Sequence, residues 1–426
     1  MSLSRWGKHD VSGKYIPPRE GGAYTRGAYH CGTPPVAPVV CSQSGNGSYF
    51  VHLADKPTCT CPDFELRGQK CKHIYAVECI IVWDTITEGG TTTVTKTKTV
   101  RVTYKQNWPA YNAAQTEEKE RFIVLLDALC GLVQQPPHTN GRPPLPLADM
   151  VFSCVYKAYS GFSSRRFMSD LREAQRKECV HKTAHYNSVT RYLANPALTE
   201  TFSHLVTLCS LPLKGIENNF AVDSSGFSTC RFVRWYNKRY GHDVDNREWV
   251  KAHLMCGVET KVVTSVDISG WTAHDTPYFV PLLERTAKYH QVKEVSADKA
   301  YISRTNLEAV VKHNAMPYIP FKTNTTVPQS NSVWAEMYHY FMYNREEFLA
   351  HYHKRSNVET AFSMIKGKFG DSVRSKSDMG QINEVLCKVL CHNLCVLIQA
   401  IHELGIAPTF GAGVRLASKG VENSGF

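Results

Sequence analysis

The segment Tyr352-His-Lys-Arg-Ser-Asn-Val-Glu-Thr-Ala-Phe-Ser-Met-Ile-Lys366 decides how the chain is interpreted. Four of its polar residues lie at offsets 0, 3, 7 and 14: Tyr352, Arg355, Glu359 and Lys366. At about 100° per residue, these offsets place all four on one stripe of a helix. A carboxylate, two cations and a phenol make a poor core face, but they suit a surface that binds a metal ion and phosphates. A solvated helix face is the alternative interpretation.

Two aspartates upstream of this segment each follow an apolar run. Asp223 ends the run Phe220-Ala-Val, and Asp298 ends the run Val295-Ser-Ala. A charged side chain at the end of a buried strand is costly unless it is neutralised, and a divalent cation neutralises it directly. Carboxylate ligands favour hard ions such as Mg²⁺ or Mn²⁺. Among 38 acidic residues, however, such pairs also arise by chance or cap a neighbouring helix.

Taken together, the three blocks resemble the DDE transposases of prokaryotic insertion sequences. The Tyr-x2-Arg-x3-Glu-x6-Lys helix is similar to the family signature, and the blocks around Asp223 and Asp298 look like its first and second aspartate motifs. The resemblance spans roughly residues 141–397. Because 75 residues separate the two aspartates and 61 separate Asp298 from Glu359, little room remains for a large β-rich insertion before the glutamate.

The resemblance implies an α/β fold with an RNase H-like mixed sheet flanked by helices. A helical DNA-binding region and a small N-terminal zinc-binding module would precede this sheet. Asp223 would lie on the first strand, Asp298 after the fourth strand and Glu359 on a later helix. The three acids would be the catalytic residues and would hold two Mg²⁺ (or Mn²⁺) ions in the active site.

The implied activity is that of a Mg²⁺-dependent DNA transposase, which binds transposon ends and catalyses strand cleavage and strand transfer. By the same resemblance Tyr352, Arg355 and Lys366 would contact DNA, the two cations through phosphates and the tyrosine by ordering the transposon end. Two alternatives stay open: a catalytically idle, domesticated transposase-derived DNA-binding protein, and a metal-dependent DNA nuclease of the same fold. Binding alone does not need three carboxylates facing a polyanion, which argues against the first alternative.

Further candidates for DNA contact lie between the first two acids. The stretch Arg231-Phe-Val-Arg-Trp-Tyr-Asn-Lys-Arg-Tyr240 interleaves cations with aromatic residues. This composition suits a surface on which bases stack, and it makes candidates of Arg231, Arg234 and Lys238. A partly buried connector with snorkelling arginines is nearly as good an explanation.

A compact set of cysteine and histidine residues lies in Cys59-Thr-Cys-Pro-Asp-Phe-Glu-Leu-Arg-Gly-Gln-Lys-Cys-Lys-His73. Positions i and i+2 of an extended chain point to the same side, so each pair can present two ligands to one ion. Three sulfurs and one imidazole suit a closed, tetrahedral zinc site, with Cys59, Cys61, Cys71 and His73 as ligands. Ordinary small core cysteines are the alternative. The stretch resembles the SWIM zinc finger, which implies one structural Zn²⁺ and binding to DNA or to protein.

Three other groups that could be mistaken for site residues are assigned to the fold. Asp267 ends an apolar run, but we expect it to belong to a hairpin. Asp275 precedes Thr276-Pro277 and suits the start of a helix. Cys387, Cys391 and Cys395 recur every fourth residue beside leucines, which is typical of a packing face rather than of a metal site.

The composition indicates an ordinary globular protein with a polyanionic partner. The chain has 426 residues, 42% of them hydrophobic, and a net charge of +11. Its N-terminus lacks a signal-like apolar stretch, and no run of about 18 apolar residues is present, so no membrane partner is expected. Fifteen cysteines without a secretory signal favour a reducing compartment. The resemblance to the DDE transposases further implies a cytoplasmic, nucleoid-associated protein of a prokaryote that binds double-stranded DNA, both transposon ends and target, as a homodimer in the synapse.

Local patterns predict helices and strands in an order that fits this architecture. The predicted helices are Ala148–Tyr159, Ser163–Cys179, Leu198–Leu208, Asp275–Tyr289, Thr305–His313 and Ala350–Lys368. The predicted strands are Val94–Thr103, Phe220–Val222, Val250–Cys256, Lys261–Val266, Glu294–Ala297 and Met316–Phe321. A proline-rich stretch at 134–146 and a weaker break near residue 88 mark linkers. The predicted regions are a SWIM-type module at 1–87, a connector at 88–147, a helical DNA-binding region at 148–213, the RNase H-like catalytic domain at 214–400 and a tail at 401–426.

Overall fold

The computed structural model divides the chain into two units, Met1–Gln106 and Asn107–Phe426. The residues that it describes are 39–41, 48–52, 57–61, 64–65, 68–71, 73–74, 81–88, 91–98, 107–138, 141, 143–229, 239, 249–328 and 331–410. Each unit has its own hydrophobic core.

The first unit contains two small antiparallel sheets. Strands β1 (Val39–Cys41), β2 (Ser48–His52) and β3 (Thr58–Cys59) lie in that order in one sheet. Strands β4 (Ile81–Glu88) and β5 (Thr91–Lys98) form a hairpin. The alternating pattern that begins at Val94 therefore does mark a strand, as the sequence predicts.

The second unit begins with six helices, which pack in one core with the sheet that follows. They are α1 (Trp108–Thr116), α2 (Glu118–Cys130), α3 (Leu147–Ser160), α4 (Met168–Arg176), α5 (Tyr186–Leu193) and α6 (Ala197–Ser210). The helix predicted at Ser163–Cys179 is shorter at both ends. Turns occupy its first residues, and Glu178 ends it with a φ of 61°, which a right-handed helix does not accept.

A five-stranded mixed sheet forms the centre of the second unit. Its strands are β6 (Asn219–Ser228), β7 (Trp249–Gly257), β8 (Val263–Gly270), β9 (Glu294–Ala297) and β10 (Met316–Tyr318). Their order is β10-β9-β6-β7-β8, with β6, β9 and β10 parallel and β7 antiparallel to both neighbours. The parallel strands need crossovers, which α7 (Thr276–Ala287) and α8 (Arg304–Lys312) supply. This is the predicted RNase H-like mixed sheet flanked by helices.

Four further helices complete the second unit: α9 (Val333–Tyr343), α10 (Arg345–Tyr352), α11 (Ser356–Phe369) and α12 (Asp378–Leu404). The single helix predicted at Ala350–Lys368 is in fact two. A 3-10 turn at His353–Arg355 lies between α10 and α11, so Tyr352 belongs to a different helix from Glu359. The four residues of the signature therefore do not share one continuous α-helical stripe.

The long helix α12 is a core helix. By length and composition alone it could cross a membrane, but 78% of its most apolar stretch is buried inside the protein. Cys387 and Cys391 are fully buried on it and Cys395 is half-buried, in agreement with the packing face that the sequence predicts. Its apolar surface is thus used in folding.

Candidate functional site

Asp223 lies on the central strand β6, on the face that α11 covers. Successive side chains of a strand point to opposite faces, and on β6 Phe220 and Val222 belong to one core while Ala221 and Phe227 belong to the other. Asp223 shares the face of Ala221 and Phe227. Its carboxylate is therefore turned towards α11, and Ser224 donates its backbone N–H to it at 2.8 Å.

Asp298 directly follows β9, next to Asp223. Strand β9 pairs in parallel with β6, and the last paired residues are Ala297 and Val222. The two aspartates are the next residues on the two strands, and neighbouring strands lie about 4.8 Å apart. The middle of β6 and the carboxyl end of β9 thus bring together two acids that are 75 residues apart in the sequence.

Glu359 and Arg355 approach this pair from α11 and the turn before it. The guanidinium of Arg355 donates to Asp223 Oδ2 at 2.9 Å and to Glu359 Oε1 at 2.5 Å. One cation therefore bridges the acid on the strand and the acid on the helix. The spacing of four residues between Arg355 and Glu359 places both side chains on one side of the chain, as the sequence predicts.

Lys366 and Tyr352 lie at the two ends of the same group. Lys366 donates to the hydroxyl of Ser225 at 2.6 Å, two residues beyond Asp223 and on the same face of β6. Burial lowers the pKa of its ammonium group. Tyr352 lies beside Arg355, whose guanidinium carbon is 5.9 Å from the centre of the tyrosine ring. Burial raises the pKa of the Tyr352 phenol, and the charges of Asp298 and Asp223 act in the same direction.

The electrostatics of the group favour a divalent cation. Burial raises the pKa of the Asp223 carboxyl, and the charges of Glu359 and Asp298 raise it further against the opposing effects of Ser224 and Arg355. Within the described residues Arg355 alone forms ion pairs with these three carboxylates, so two negative charges remain. Oxygen ligands with excess negative charge suit a hard ion such as Mg²⁺ or Mn²⁺.

A polar network beside Asp223 was not predicted from the sequence. Ser224 donates its hydroxyl to Asp275 at 2.8 Å, and Lys251 forms an ion pair with the same carboxylate at 2.6 Å. Asp275 lies at the start of α7, as predicted. Its carboxylate also binds Ser224, the residue that follows Asp223 on β6. Asp267 lies on β8 and forms an ion pair with Arg285, away from this group. The one sequence feature that indicates this network is the position of Ser224 directly after Asp223.

Three predicted DNA contacts cannot be located on this site. Arg231, Arg234 and Lys238 lie outside the described residues, between the ends of β6 and β7. Their role stays a prediction that rests on the sequence alone.

The first unit holds the predicted cysteine–histidine cluster. One ligand atom each from Cys59, Cys61, Cys71 and His73 lies within 4.8 Å of the others, and all four residues are buried. The imidazole turns its Nδ1 towards the thiols, 3.7 Å from Cys59 Sγ and 3.8 Å from Cys71 Sγ. Gly68, between the two pairs, adopts a φ of 60°, a conformation that glycine accepts without strain. Within the described residues this is the one group with ligand atoms so close together.

The donor set of this cluster fits zinc. Burial raises the pKa of the Cys59 thiol to about 12. Burial acts to raise the pKa of the Cys71 thiol as well. The backbone N–H of Ile74 and the neighbouring thiols outweigh it and hold this pKa below the usual value. Three buried sulfurs and a ring nitrogen, with no carboxylate, form a closed set of structural type.

Comparison with protein families agrees with both groups of residues. Residues 215–394 match the family model described as the transposase DDE domain. Residues 49–78 match the SWIM zinc finger. The first match contains Asp223, Asp298 and Glu359, and the second contains all four residues of the cysteine–histidine cluster.

Proposed function

We propose, from the transposase DDE domain formed by residues 215–394, that the protein binds the ends of a DNA element and catalyses strand cleavage and strand transfer. The observation that carries this proposal is the position of three carboxylates: one in the middle of β6, one directly after β9 and one on α11. Arg355 and Lys366, two cations suited to phosphates, lie directly beside them. We assign Asp223, Asp298 and Glu359 as the catalytic acids.

When bound by these three acids, two Mg²⁺ or Mn²⁺ ions would activate the attacking oxygen and stabilise the leaving oxygen of a phosphodiester. The chain's own residues orient the substrate. Arg355 exchanges its carboxylate partners for a phosphate, which its planar guanidinium binds with two donors. Lys366 holds a second phosphate, and Tyr352 orders the end of the element by packing against it.

The partner is double-stranded DNA, both as element end and as target. Two ends must be held together for a concerted reaction, so we propose a homodimer in the synapse and a location at the nucleoid. The helices between residues 148 and 213 and the SWIM module contribute to DNA binding, together with Arg231, Arg234 and Lys238. The net charge of +11 supports a polyanionic partner.

Cleavage of a plasmid that carries the gene with its native flanks tests the proposal. Purified protein and Mg²⁺ should produce 3′-OH breaks at two inverted ends, and mapping of the DNA ends measures them. Binding without cleavage would favour a domesticated DNA-binding protein. Scattered cuts would favour a nuclease of the same fold.

Replacement of one zinc ligand is expected to remove zinc from the SWIM module. In Cys71→Ser a weak hydroxyl ligand replaces a thiolate in a closed set of four, so the bound zinc should fall from about one ion per chain to nearly none after dialysis. Elemental analysis of the purified protein measures this. Proteolysis within residues 50–80 should become faster, because metal binding and folding of such a module are coupled.

Cys179→Ser is the matched control for this experiment. Cys179 lies in the second unit, half-exposed and outside the cluster, so its replacement should leave the zinc content unchanged. Equal zinc in Cys71→Ser and in the unmodified protein would remove Cys71 from the metal site.

A further inference from the structure

An open cleft in the second unit lies beside the C-terminal end of α3. The space inside it that is open to a water-sized molecule is ≈ 50 Å³, and its walls come from α3, the loop after it, the end of α11 and α12. The charged residues that line it are Lys157, Arg374, Glu384 and Lys388. An aromatic ring, that of Phe162, also faces the cleft and is 48% exposed.

The cleft carries positive charge that the protein does not neutralise. Glu384 is the one acid that lines the cleft. Its carboxylate accepts hydrogen bonds from the backbone N–H groups of Arg374 and Ser375 and from the Ser375 hydroxyl. The guanidinium of Arg374 donates to the carbonyl of Gly161, a neutral acceptor. The Lys157 side chain forms no hydrogen bond or ion pair within the described part of the chain. Lys388 donates to the carbonyls of Gly370 and Ser372, which are also neutral acceptors. The three cations therefore exceed the one acid by two positive charges, which can attract an anion.

The segment that supplies Arg374 adds to this charge. Residues 366–376 contain Lys366, Lys368, Arg374 and Lys376 against a single acid, Asp371. Lys368 forms an ion pair with Glu118 and therefore adds no net charge. Arg374 and Lys376 are both exposed. Arg165 and Arg166, which follow Phe162 closely in the chain, are exposed too.

Strand β6 connects the cleft to the acid cluster. Its last residue, Ser228, forms a bridge with Ser372: Ser228 donates its N–H to Asp371 at 3.0 Å, and Val373 donates to Ser228 at 2.9 Å. Ser228 is five residues beyond Asp223, which at about 3.3 Å per residue is roughly 17 Å. One strand of duplex DNA rises by about 3.4 Å per nucleotide, so this length corresponds to about five nucleotides.

We propose that this cleft binds the sugar–phosphate backbone of the DNA duplex about five nucleotides from the bond that is cut. Lys157 and Arg374 contact phosphates, and the ring of Phe162 packs against the sugars. Lys366 holds the strand at the acids and the cleft holds its continuation, so the two contacts fix the direction in which DNA crosses the site. This inference rests on the proposed function, because that function supplies the cut.

The test compares the salt dependence of DNA binding by the full chain and by the double variant Lys157→Gln/Arg374→Gln. The probe is a fluorescent 30-base-pair duplex with the native flanking sequence, without Mg²⁺. Each lost phosphate contact removes about one unit from the slope of log Kd against log salt concentration, so the slope should fall by about two. The slope of the charge-preserving variant Lys157→Arg/Arg374→Lys should be close to that of the unmodified protein.

Arg121→Gln is the matched control. Arg121 is an exposed arginine of the same unit, but Glu117 neutralises it at 3.1 Å, so the slope should not change. An unchanged slope in the double variant overturns the inference, as does the absence of any duplex binding by the unmodified protein. Cleavage of the plasmid with Mg²⁺ is scored separately: cuts with an unchanged slope would leave the proposed function standing and remove only the cleft.

Discussion

Glu359→Gln should abolish DNA cleavage while DNA binding persists. The substitution keeps the size of the side chain but removes one of the three negative charges that attract divalent ions. Loss of one member of a catalytic constellation lowers the rate by roughly 10³-fold or more. The measurement is single-turnover cleavage of the plasmid with native flanks in Mg²⁺, beside a binding titration of the flanking duplex without Mg²⁺.

DNA binding should persist in this variant. The carboxylate of Glu359 repels the DNA backbone, and the substitution removes this repulsion. Arg355 would also lose its ion pair with Glu359, because the amide oxygen of glutamine is a neutral acceptor, and it would keep only the ion pair with Asp223. This leaves the guanidinium freer to contact a phosphate. Glu346→Gln, an exposed acid in the first turn of α10, is the control and should cleave normally. If Glu359→Gln cleaved at the unmodified rate, Glu359 would have no part in catalysis.

The sequence predicts which strands and which helix carry the three acids, because each acid lies in or directly after a segment with a recognisable pattern of apolar and polar residues. The apolar runs before Asp223 and Asp298 are buried strands, and the three elements match the predicted order. Strand β6, however, continues through Ser224, Ser225 and Gly226 to Ser228, well beyond its apolar run. Pairing with β7 along this whole length stabilises the polar half, and a pattern of apolar residues does not reveal pairing.

Contacts between distant segments are the part that the sequence does not predict. The spacing of Arg355 and Glu359 indicates a shared side of the chain, but not that one guanidinium also reaches Asp223 on another element. Likewise Asp275 has the appearance of an ordinary helix start, and only the fold brings it to Ser224. The break between α10 and α11 has no proline or glycine to mark it, so helical periodicity predicts one helix where there are two.

A buried amide supplies two of the hydrogen bonds to the backbone of β8. Strand β8 is an outer strand, so the backbone groups on its free side need partners from elsewhere. Asn393 of α12, fully buried, accepts from the N–H of Val263 at 2.8 Å and donates to its carbonyl at 2.7 Å. It also donates to the carbonyl of Val206 on α6 at 3.1 Å. One side chain thus joins α12, α6 and the sheet.

Asn393→Leu should therefore destabilise the second unit strongly although it adds apolar surface. Leucine has the same branched shape and the same number of heavy side-chain atoms, but it leaves both backbone groups of Val263 buried without a partner. Each such group costs about 1–3 kcal/mol, so the free energy of unfolding should fall by roughly 2–6 kcal/mol, as measured by urea denaturation of the full chain. Gln399→Leu makes the same kind of change six residues further along α12. There the amide is half-exposed and, among the residues that the structure describes, bonds only to Glu403, so stability should shift by less than about 0.5 kcal/mol. Equal stability of the two variants would mean that the free edge of β8 does not depend on Asn393.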